Sequence, residues 1–381
     1  MAKIVDLFAG CGGLSLGFQY AGFDVVAGLE FWEIAAACYE KNFNHPVYRT
    51  DLSDVEASTK QIKEIAPDII IGGPPCQDFS QAGKRIEASR ASLTSAYAQI
   101  IANIKPKYFV MENVDRVAQS DNYAFARSLL KENGYGLTEI ILDACHCGVP
   151  QKRKRFFCIG SLNDSDGFLD KYFNEHISEK EMTLRDYFSN ALDFTYYYRH
   201  PRNYSRRAIF SIDEPAPTMR GVNRPVPKGY PGHPNDACPL NKNIRALTTL
   251  ERSLIQTFPP NYKWVGNKTE TEQMIGNAVP VKLAEFVAQA LQFHINSKPN
   301  IQSPTFEQFK LWLANNQQYS NRTISDILSR LKRANAILPI PSQIDPIYLF
   351  NLANDHSFNS LSVNVKSQIR KAVNLYLDCC S

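Results

Sequence analysis

Short runs rich in Val, Ile and Phe recur through the first half of the chain, separated by stretches of amphipathic pattern. This alternation leaves few folds open. Apolar runs of that length, buried on both faces, suit parallel strands joined by crossover helices. Strands are predicted near residues 4–8, 25–29, 68–71, 108–111, 137–142 and 156–159, with helices such as 32–42 and 92–104 between them. The fold class is therefore α/β. Open sheets of this kind hold ligands beyond the carboxyl ends of their strands, so the residues just after each strand carry the chemistry.

Composition narrows the setting. With 44% hydrophobic and 21% charged residues in 381, the chain has globular composition, which excludes disordered and collagen-like classes. No stretch reaches the roughly 18 to 20 apolar residues of a membrane helix, and the opening MAKIVDLFAG reads as a strand rather than a signal peptide. A cytoplasmic monomer without membrane contact is expected. Nine cysteines, odd in number and irregular in spacing, fit reduced thiols. The net charge of +4 leaves any anionic partner to local basic clusters.

The strand ends are chemically unusual. Gly10-Cys11-Gly12-Gly13 follows the first strand, where glycines permit a tight turn and let a ligand approach bare backbone at a helix start. A plain structural turn explains the same residues. Glu30 closes the second strand, 20 residues beyond Gly10, and Asp51 follows an extended piece at 46–50; two carboxylates at strand ends favour a nucleoside ligand through its ribose hydroxyls. Next comes Gly72-Gly73-Pro74-Pro75-Cys76, whose prolines stiffen the backbone and present Cys76 from a loop, a better nucleophile candidate than Cys38 within a helix. Glu112-Asn113-Val114 adds a carboxylate whose pKa burial would raise. Finally, Gln151-Lys152-Arg153-Lys154-Arg155 runs into a strand, so Arg153 and Arg155 share one face and the two lysines the other. A solvated basic edge is the ordinary alternative; guanidiniums aimed at the cysteine edge would bind a phosphate or a base carbonyl.

In order, DLFAGCGG, GPPCQDFS, ENV and QKRKR, followed by Arg245-Ala246-Leu247-Thr248 and Gln273-Met274-Ile275-Gly276-Asn277-Ala278-Val279-Pro280, resemble the motifs of the cytosine-5 DNA methyltransferases, bacterial restriction-modification type, over residues 3 to 295. The resemblance implies a Rossmann-like S-adenosylmethionine-dependent methyltransferase sheet with an inserted small target-recognition domain and a helical C-terminal extension. The implied domains are 1–183 plus 268–297 (catalytic), 184–267 (target recognition) and 301–381 (extension). It further implies S-adenosyl-L-methionine as methyl donor and no metal. Phe8, Gly10, Gly12 and Pro75 would surround the donor, Glu30 its ribose, Phe31 and Asp51 its adenine, and Asn277 its amino-acid part. Phe31 stands where many members carry Trp, while Trp32 would face another way. Cys76 would add to carbon 6 of cytosine, Glu112 would bond ring nitrogen 3 and the amino group, Arg155 the base carbonyl, and Arg153 would support the loop or a phosphate. The partner implied is double-stranded DNA, with a cognate restriction endonuclease acting on the same site without a stable complex.

In the family, the stretch after the nucleophile closes over DNA; here Ser80, Gly83, Lys84, Arg85 and Arg90 suit that task. The chain has Ser89-Arg90-Ala91-Ser92-Leu93 where Ser-Arg-Gly-Thr-Leu is common. From about residue 183 to 268 the alternation disappears, and Arg199, Arg202, Arg206, Arg207, Arg220, Arg224 and Lys228 form a basic run interleaved with aromatics that pairs phosphates or reads guanine edges. Residues 215–225 are the expected base-reading loop, and the helix at 281–293 is expected near the first strand. Residues 301–381 carry helical apolar faces at 306–313, 323–335 and 361–377, and faintly resemble the helical DNA-clasping module of tyrosine recombinases; a helical cap or an oligomerisation module fits equally. Cys145-His146-Cys147 is spaced too tightly for ordinary zinc pairs. Methylation of cytosine in transfer RNA and a regulator with a degenerate fold are the competing readings. The regulator predicts loss of Cys76, Glu112 or the arginines, and all are present.

Overall fold

The computed structural model describes residues 2–75, 92–189, 191–203, 205–297, 304–316, 319–341, 344 and 347–380. The chain divides into two compact units, 1–294 and 295–381.

The first unit is built on a seven-stranded sheet. Its strands are β1 (Lys3–Leu7), β2 (Asp24–Leu29), β3 (Val47–Tyr48), β4 (Ile69–Gly72), β5 (Tyr108–Val114), β6 (Tyr135–Asp143) and β8 (Lys154–Leu162), in the order β3-β2-β1-β4-β5-β8-β6. A two-residue strand, β7 (Gln151–Lys152), lies outside it and pairs with β11 (Ala216–Pro217). Ile4, Val5 and Leu7 of β1 and Ile69, Ile70 and Ile71 of β4 are fully buried, as the run of apolar residues required. Strand order reverses direction between β1 and β4, which opens a crevice at their carboxyl ends.

One expectation changes. β8 runs antiparallel to both neighbours, β5 and β6, rather than parallel. Between Asp143 and Lys154 the chain has a single 3-10 turn, Ala144–His146, and the short β7, but no helix to carry a crossover. A connection that short returns the chain as a hairpin.

Local sequence sets the helix starts. Ser92 caps the helix Leu93–Ile104 by accepting from the Ser95 N–H, and Asn267 with Glu270 forms a capping box at Lys268–Asn277. The helix Val281–Ser297 packs against Gly13–Tyr20, the helix that follows β1: a Cβ on Gly17 would lie 2.4 Å from Ala284 Cβ. Residues 184–267 lie within the first unit and carry a two-stranded antiparallel ladder of β9 (Tyr196–Tyr198) with β10 (Ile209–Ser211), beside a core of Tyr197, Phe210, Ile212 and Met219.

The second unit is helical: Phe306–Asn316, Asn321–Ile337, Ile347–Asn354, His356–Asn359 and Val363–Cys380 surround their own core of Phe309, Leu331, Leu352, Phe358, Val373 and Tyr376. The helices Ile347–Asn354 and His356–Asn359 fall where the sequence predicted none. No helix among the described residues is long and apolar enough to cross a membrane.

Candidate active site

A cavity of about 450 Å³ opens at the carboxyl ends of β1, β2, β4 and β5. It is large enough for a nucleoside-sized ligand. Phe8, Gly10, Glu30, Pro75, Glu112, Arg155 and Asn277 all line it, so seven of the residues read from sequence converge from segments far apart in the chain. Cys76, Ser80, Gly83, Lys84, Arg85 and Arg90 lie outside the described residues. Gly73, Pro74 and Pro75, which precede Cys76 in sequence, line the cavity.

The glycine turn forms one wall. Gly12 takes φ +91°, and a Cβ there would lie 2.3 Å from the Phe43 ring, so the turn requires glycine on two counts. Glu30 braces the turn: its Oε2 accepts from Gly10 N–H and its Oε1 from Trp32 N–H, each at 2.7 Å. Burial raises the Glu30 pKa, and these backbone donors oppose the rise.

Asp6, which sequence reading missed, also lines the cavity. It is fully buried; Oδ2 accepts from Ser15 Oγ at 2.6 Å, and Oδ1 has no hydrogen-bond partner among the described residues. Burial, with a smaller contribution from Glu30, pushes its pKa up to about 7 against the Ser15 hydrogen bond. An acidic residue inside an otherwise apolar buried strand was the available signal. An orphaned carboxylate oxygen, a glycine turn and Glu30 around one cavity fit a ligand carrying both an ammonium group and a ribose.

At the other wall Arg155 Nε lies 2.8 Å from Glu112 Oε1, with both side chains largely shielded. Burial raises the Glu112 pKa, while Arg155 and then Arg153 pull it down. Asn113 fixes the neighbouring backbone by donating to the Pro74 carbonyl at 2.9 Å.

Arg153, expected beside Arg155, serves elsewhere. It is 1% exposed; Nη1 donates to the Met219 carbonyl at 3.0 Å and Nη2 to those of Gly276 and Ala278 at 2.9 and 3.0 Å. Gln151 joins this knot, accepting from Met219 N–H at 2.8 Å and donating to Gln256 at 2.7 Å. The β7–β8 segment, the loop at 218–221 and the end of helix Lys268–Asn277 are thereby tied together. The alternation along the strand holds, because Lys152 and Lys154 are exposed.

The adenine contacts read from sequence are not at the cavity. Phe31 is 71% exposed and outside the lining, whereas Trp32, expected to face away, lines it. Asp51 is exposed and accepts from Ser53 N–H and Oγ at 2.9 and 2.6 Å, which lowers its pKa.

A second cavity, of about 540 Å³, is lined by Lys152, Arg199, Arg202, Arg206, Arg207 and Arg220 with Phe210, Glu214, Pro217 and Thr218. Arg199 donates to the Thr218 carbonyl and Arg220 to that of His200, while Arg207 pairs with Glu214. Arg202 and Arg206 have no carboxylate partner among the described residues, so the cavity is left cationic. Arg224 is exposed and outside it.

Cys145, His146 and Glu181 hold potential metal-ligand atoms within 4.8 Å of one another, a grouping with Glu181 that spacing alone did not suggest. Glu181 is paired with Lys152 at 2.7 Å, and His146 Nδ1 lies 2.7 Å from the Ser178 carbonyl.

A methyltransferase from Haemophilus influenzae, M.HindV, is 55% identical over 291 residues, covering 76% of this chain and 96% of the relative. M.HgiDI of Herpetosiphon aurantiacus is 52% identical over 301 residues, 79% of this chain and 97% of its own. Both are described as type II methyltransferases. Among solved structures, a DNMT2 variant from Spodoptera frugiperda shares the fold with a TM-score of 0.58 at 20% identity, covering 77% of this chain and all of that one. The family model for C-5 cytosine-specific DNA methylase matches residues 2–292, and the chain belongs to that family.

Proposed function

We propose that this protein is a sequence-specific DNA methyltransferase that moves a methyl group from S-adenosyl-L-methionine to carbon 5 of a cytosine held outside the DNA stack. The observation that carries the reading is the shared cavity: the glycine turn with Asp6 and Glu30 at one wall, and the Glu112–Arg155 pair beside Gly73-Pro74-Pro75 at the other. Donor site and base site are thus contiguous.

Carbon 5 of cytosine is a weak nucleophile. Cys76, next in sequence to Pro75, adds as thiolate to carbon 6; the carbon–sulfur bond forms and the ring's 5,6 electron pair becomes that of an enamine. Glu112 bonds ring nitrogen 3 and the exocyclic amino group, where negative charge develops, and Arg155 holds the base carbonyl while keeping Glu112 oriented. S-adenosyl-L-methionine, when bound, supplies a methyl group on a sulfonium, a good leaving group. Carbon 5 takes that methyl, its proton is then lost, and the electron pair of the breaking bond restores the double bond as the thiolate leaves. On the protein side, Gly10, Glu30, Asp6 and Asn277 bind and orient the donor, while Gly12, outside the cavity lining, shapes the turn through its positive φ and its packing on Phe43.

A stacked base is out of reach of any such cavity, so the nucleotide must rotate out at a cost of a few kcal/mol. The cationic cavity of Arg202, Arg206 and Arg220 supplies phosphate or guanine contacts that offset it. Arg153 is a positioning residue here, and Trp32, which lines the cavity, is the aromatic placed for the adenine in place of Phe31 and Asp51. The type II names of both relatives support protection of DNA against a cognate endonuclease.

Expression in a host without cytosine methylation, followed by conversion sequencing, tests the reading. Protected cytosines confined to one short sequence are expected, and none in a Cys76→Ser variant that still binds DNA. Full activity in that variant overturns the nucleophile assignment; protection only in RNA overturns the substrate.

A further inference from the structure

Asp6 begins a hydrogen-bonded line that leaves the cavity through the protein interior. Its Oδ2 lies 2.6 Å from Ser15 Oγ, on the helix Gly13–Tyr20, and Ser15 Oγ lies 2.7 Å from Tyr39 Oη, on the helix Glu33–Glu40. Tyr39 Oη in turn lies 2.7 Å from Nε2 of His45, just before β3. Asp6, Ser15 and Tyr39 are fully buried, whereas His45 is half-buried and reaches solvent. Stacking on Phe43, at 4.1 Å between centroids, fixes the Tyr39 ring.

Each hydroxyl has one proton to donate, so the line can run in two directions, and each direction fits one charge state of its ends. Asp6 Oδ1 has no hydrogen-bond partner among the described residues, so a neutral carboxyl carries its proton on Oδ2 and donates to Ser15. Ser15 then donates to Tyr39 and Tyr39 to His45, whose Nε2 accepts and whose ring proton sits on Nδ1. An ionised carboxylate reverses every bond: it accepts from Ser15, Ser15 from Tyr39, and Tyr39 from a proton on Nε2. The titratable groups around the line are Glu30 and Tyr97 near Asp6, Tyr262 near Tyr39, and Asp24 near His45. Both tyrosines donate elsewhere, Tyr97 to the Ile70 and Val110 carbonyls and Tyr262 to that of Cys11. Glu30 favours the neutral carboxyl, and burial lowers the His45 pKa against Asp24, so both ends of the line are neutral together.

From this we infer that Tyr39 and His45 are positioning residues for the methyl donor: the line Asp6–Ser15–Tyr39–His45 carries the Asp6 proton out to His45 when the ligand's ammonium group binds beside Oδ1. The inference rests on the reading of the cavity as the methyl-donor site. The Oδ2–H bond breaks and its electron pair stays on the carboxylate. Ser15 takes that proton and passes its own to Tyr39, and Tyr39 passes its own to Nε2. The imidazolium then gives its Nδ1 proton to water. Asp6 gains its charge while Ser15 and Tyr39 end neutral. Asp6 is enclosed and lines the cavity that the ligand fills, so the line supplies an exit that the bound ligand does not block.

Nitrogen NMR of the full chain with isotope-labelled histidine tests it, with S-adenosyl-L-homocysteine as the probe and the His45 ring signals identified by their loss in His45→Gln. At pH 6.5 the free protein has a bare Nε2 on His45; saturation with the probe protonates Nε2 and raises the His45 pKa. Without the probe, Nε2 gains its proton as pH rises through about 7, where Asp6 ionises, although a free imidazole only loses protons in that direction. Tyr39→Phe keeps the ring on Phe43 and removes the hydroxyl, and in that variant His45 responds to neither change. A parent whose Nε2 keeps one state with and without bound probe, and from pH 6.5 to 8, overturns the inference. So does a Tyr39→Phe variant whose His45 switches as the parent's does. A parent that binds no probe defeats the methyl-donor reading, while the pH-driven exchange still decides whether the line carries the proton.

Discussion

Arg155 meets Glu112 at 2.8 Å across two adjacent antiparallel strands, where Val114 of β5 faces Arg155 of β8 in the register. The pair is set by backbone pairing, so its geometry is present before any base arrives. The buried carboxyl titrates above its ordinary value because burial outweighs the two arginines. In the proposed mechanism a protonated Glu112 donates to ring nitrogen 3, which predicts that the transfer rate falls as pH rises through that raised pKa. Glu112→Gln removes the titrating group: single-turnover transfer drops by about 10²- to 10³-fold and the residual rate loses its alkaline fall. A rate within about threefold of the parent rejects the role.

Arg153 and Arg155 are two residues apart and differ in task. Arg153 satisfies three buried carbonyls, and its removal leaves them unpaired at roughly 1–3 kcal/mol each before relaxation. Arg153→Met therefore lowers the thermal midpoint by several degrees, whereas Arg155→Met leaves the midpoint near the parent's and loses transfer rate. Calorimetry and a methyl-transfer assay on the same two variants check this. Equal effects of the two substitutions on both measurements refute the division.

The loop at 218–221 and the helix Lys268–Asn277 touch at backbone distance. A Cβ on Gly276 would lie 2.3 Å from Gly221 N and 2.5 Å from the Arg220 carbonyl carbon. Arg252, paired with buried Glu272, donates to that same Arg220 carbonyl. Gly276→Ala must push the loop off the helix, at about 1–3 kcal/mol of overpacking, and carries Arg220 out of its cavity. Affinity for the specific duplex falls by about tenfold or more, and donor affinity by less. Titration of both ligands against the variant checks this, and an intact duplex affinity rules it out.

Much of the site was legible because its residues sit at strand ends, which the apolar runs located directly. Glu30 and Glu112 needed only that rule, and Asn277 came from its motif. The carbonyls that Arg153 meets were not legible, because two-residue periodicity says which face a side chain takes, not which carbonyls wait there; Met219 and Gly276 are 66 and 123 residues away in sequence. Trp32 lines the cavity because the chain turns at Glu30, whose carboxylate binds the Trp32 N–H, a bend that strand periodicity does not encode. The reversal of β8 was written in the missing crossover helix but not in the strand itself, whose composition matches its parallel neighbours.

Asp6 offers the sharpest test of electrostatics. Its carboxyl titrates near 7 in the fold against 3.8 for the ordinary group, because burial dominates the Ser15 hydrogen bond. Below about pH 4 the carboxyl is protonated in folded and unfolded chains alike, and folding pays nothing for it. As pH rises to about 7 the unfolded chain gives up the proton while the folded one keeps it, so stability is lost across that window, by on the order of 4 kcal/mol. Asp6→Asn keeps an acceptor for Ser15 and removes the titration. Its melting temperature therefore matches the parent's near pH 4 and exceeds it at pH 8. Donor binding moves the other way, because an ammonium beside Oδ1 favours the ionised carboxylate that asparagine cannot supply. A variant that gains no stability at pH 8 contradicts the burial argument, and one that binds the donor as tightly as the parent removes Asp6 from the donor site.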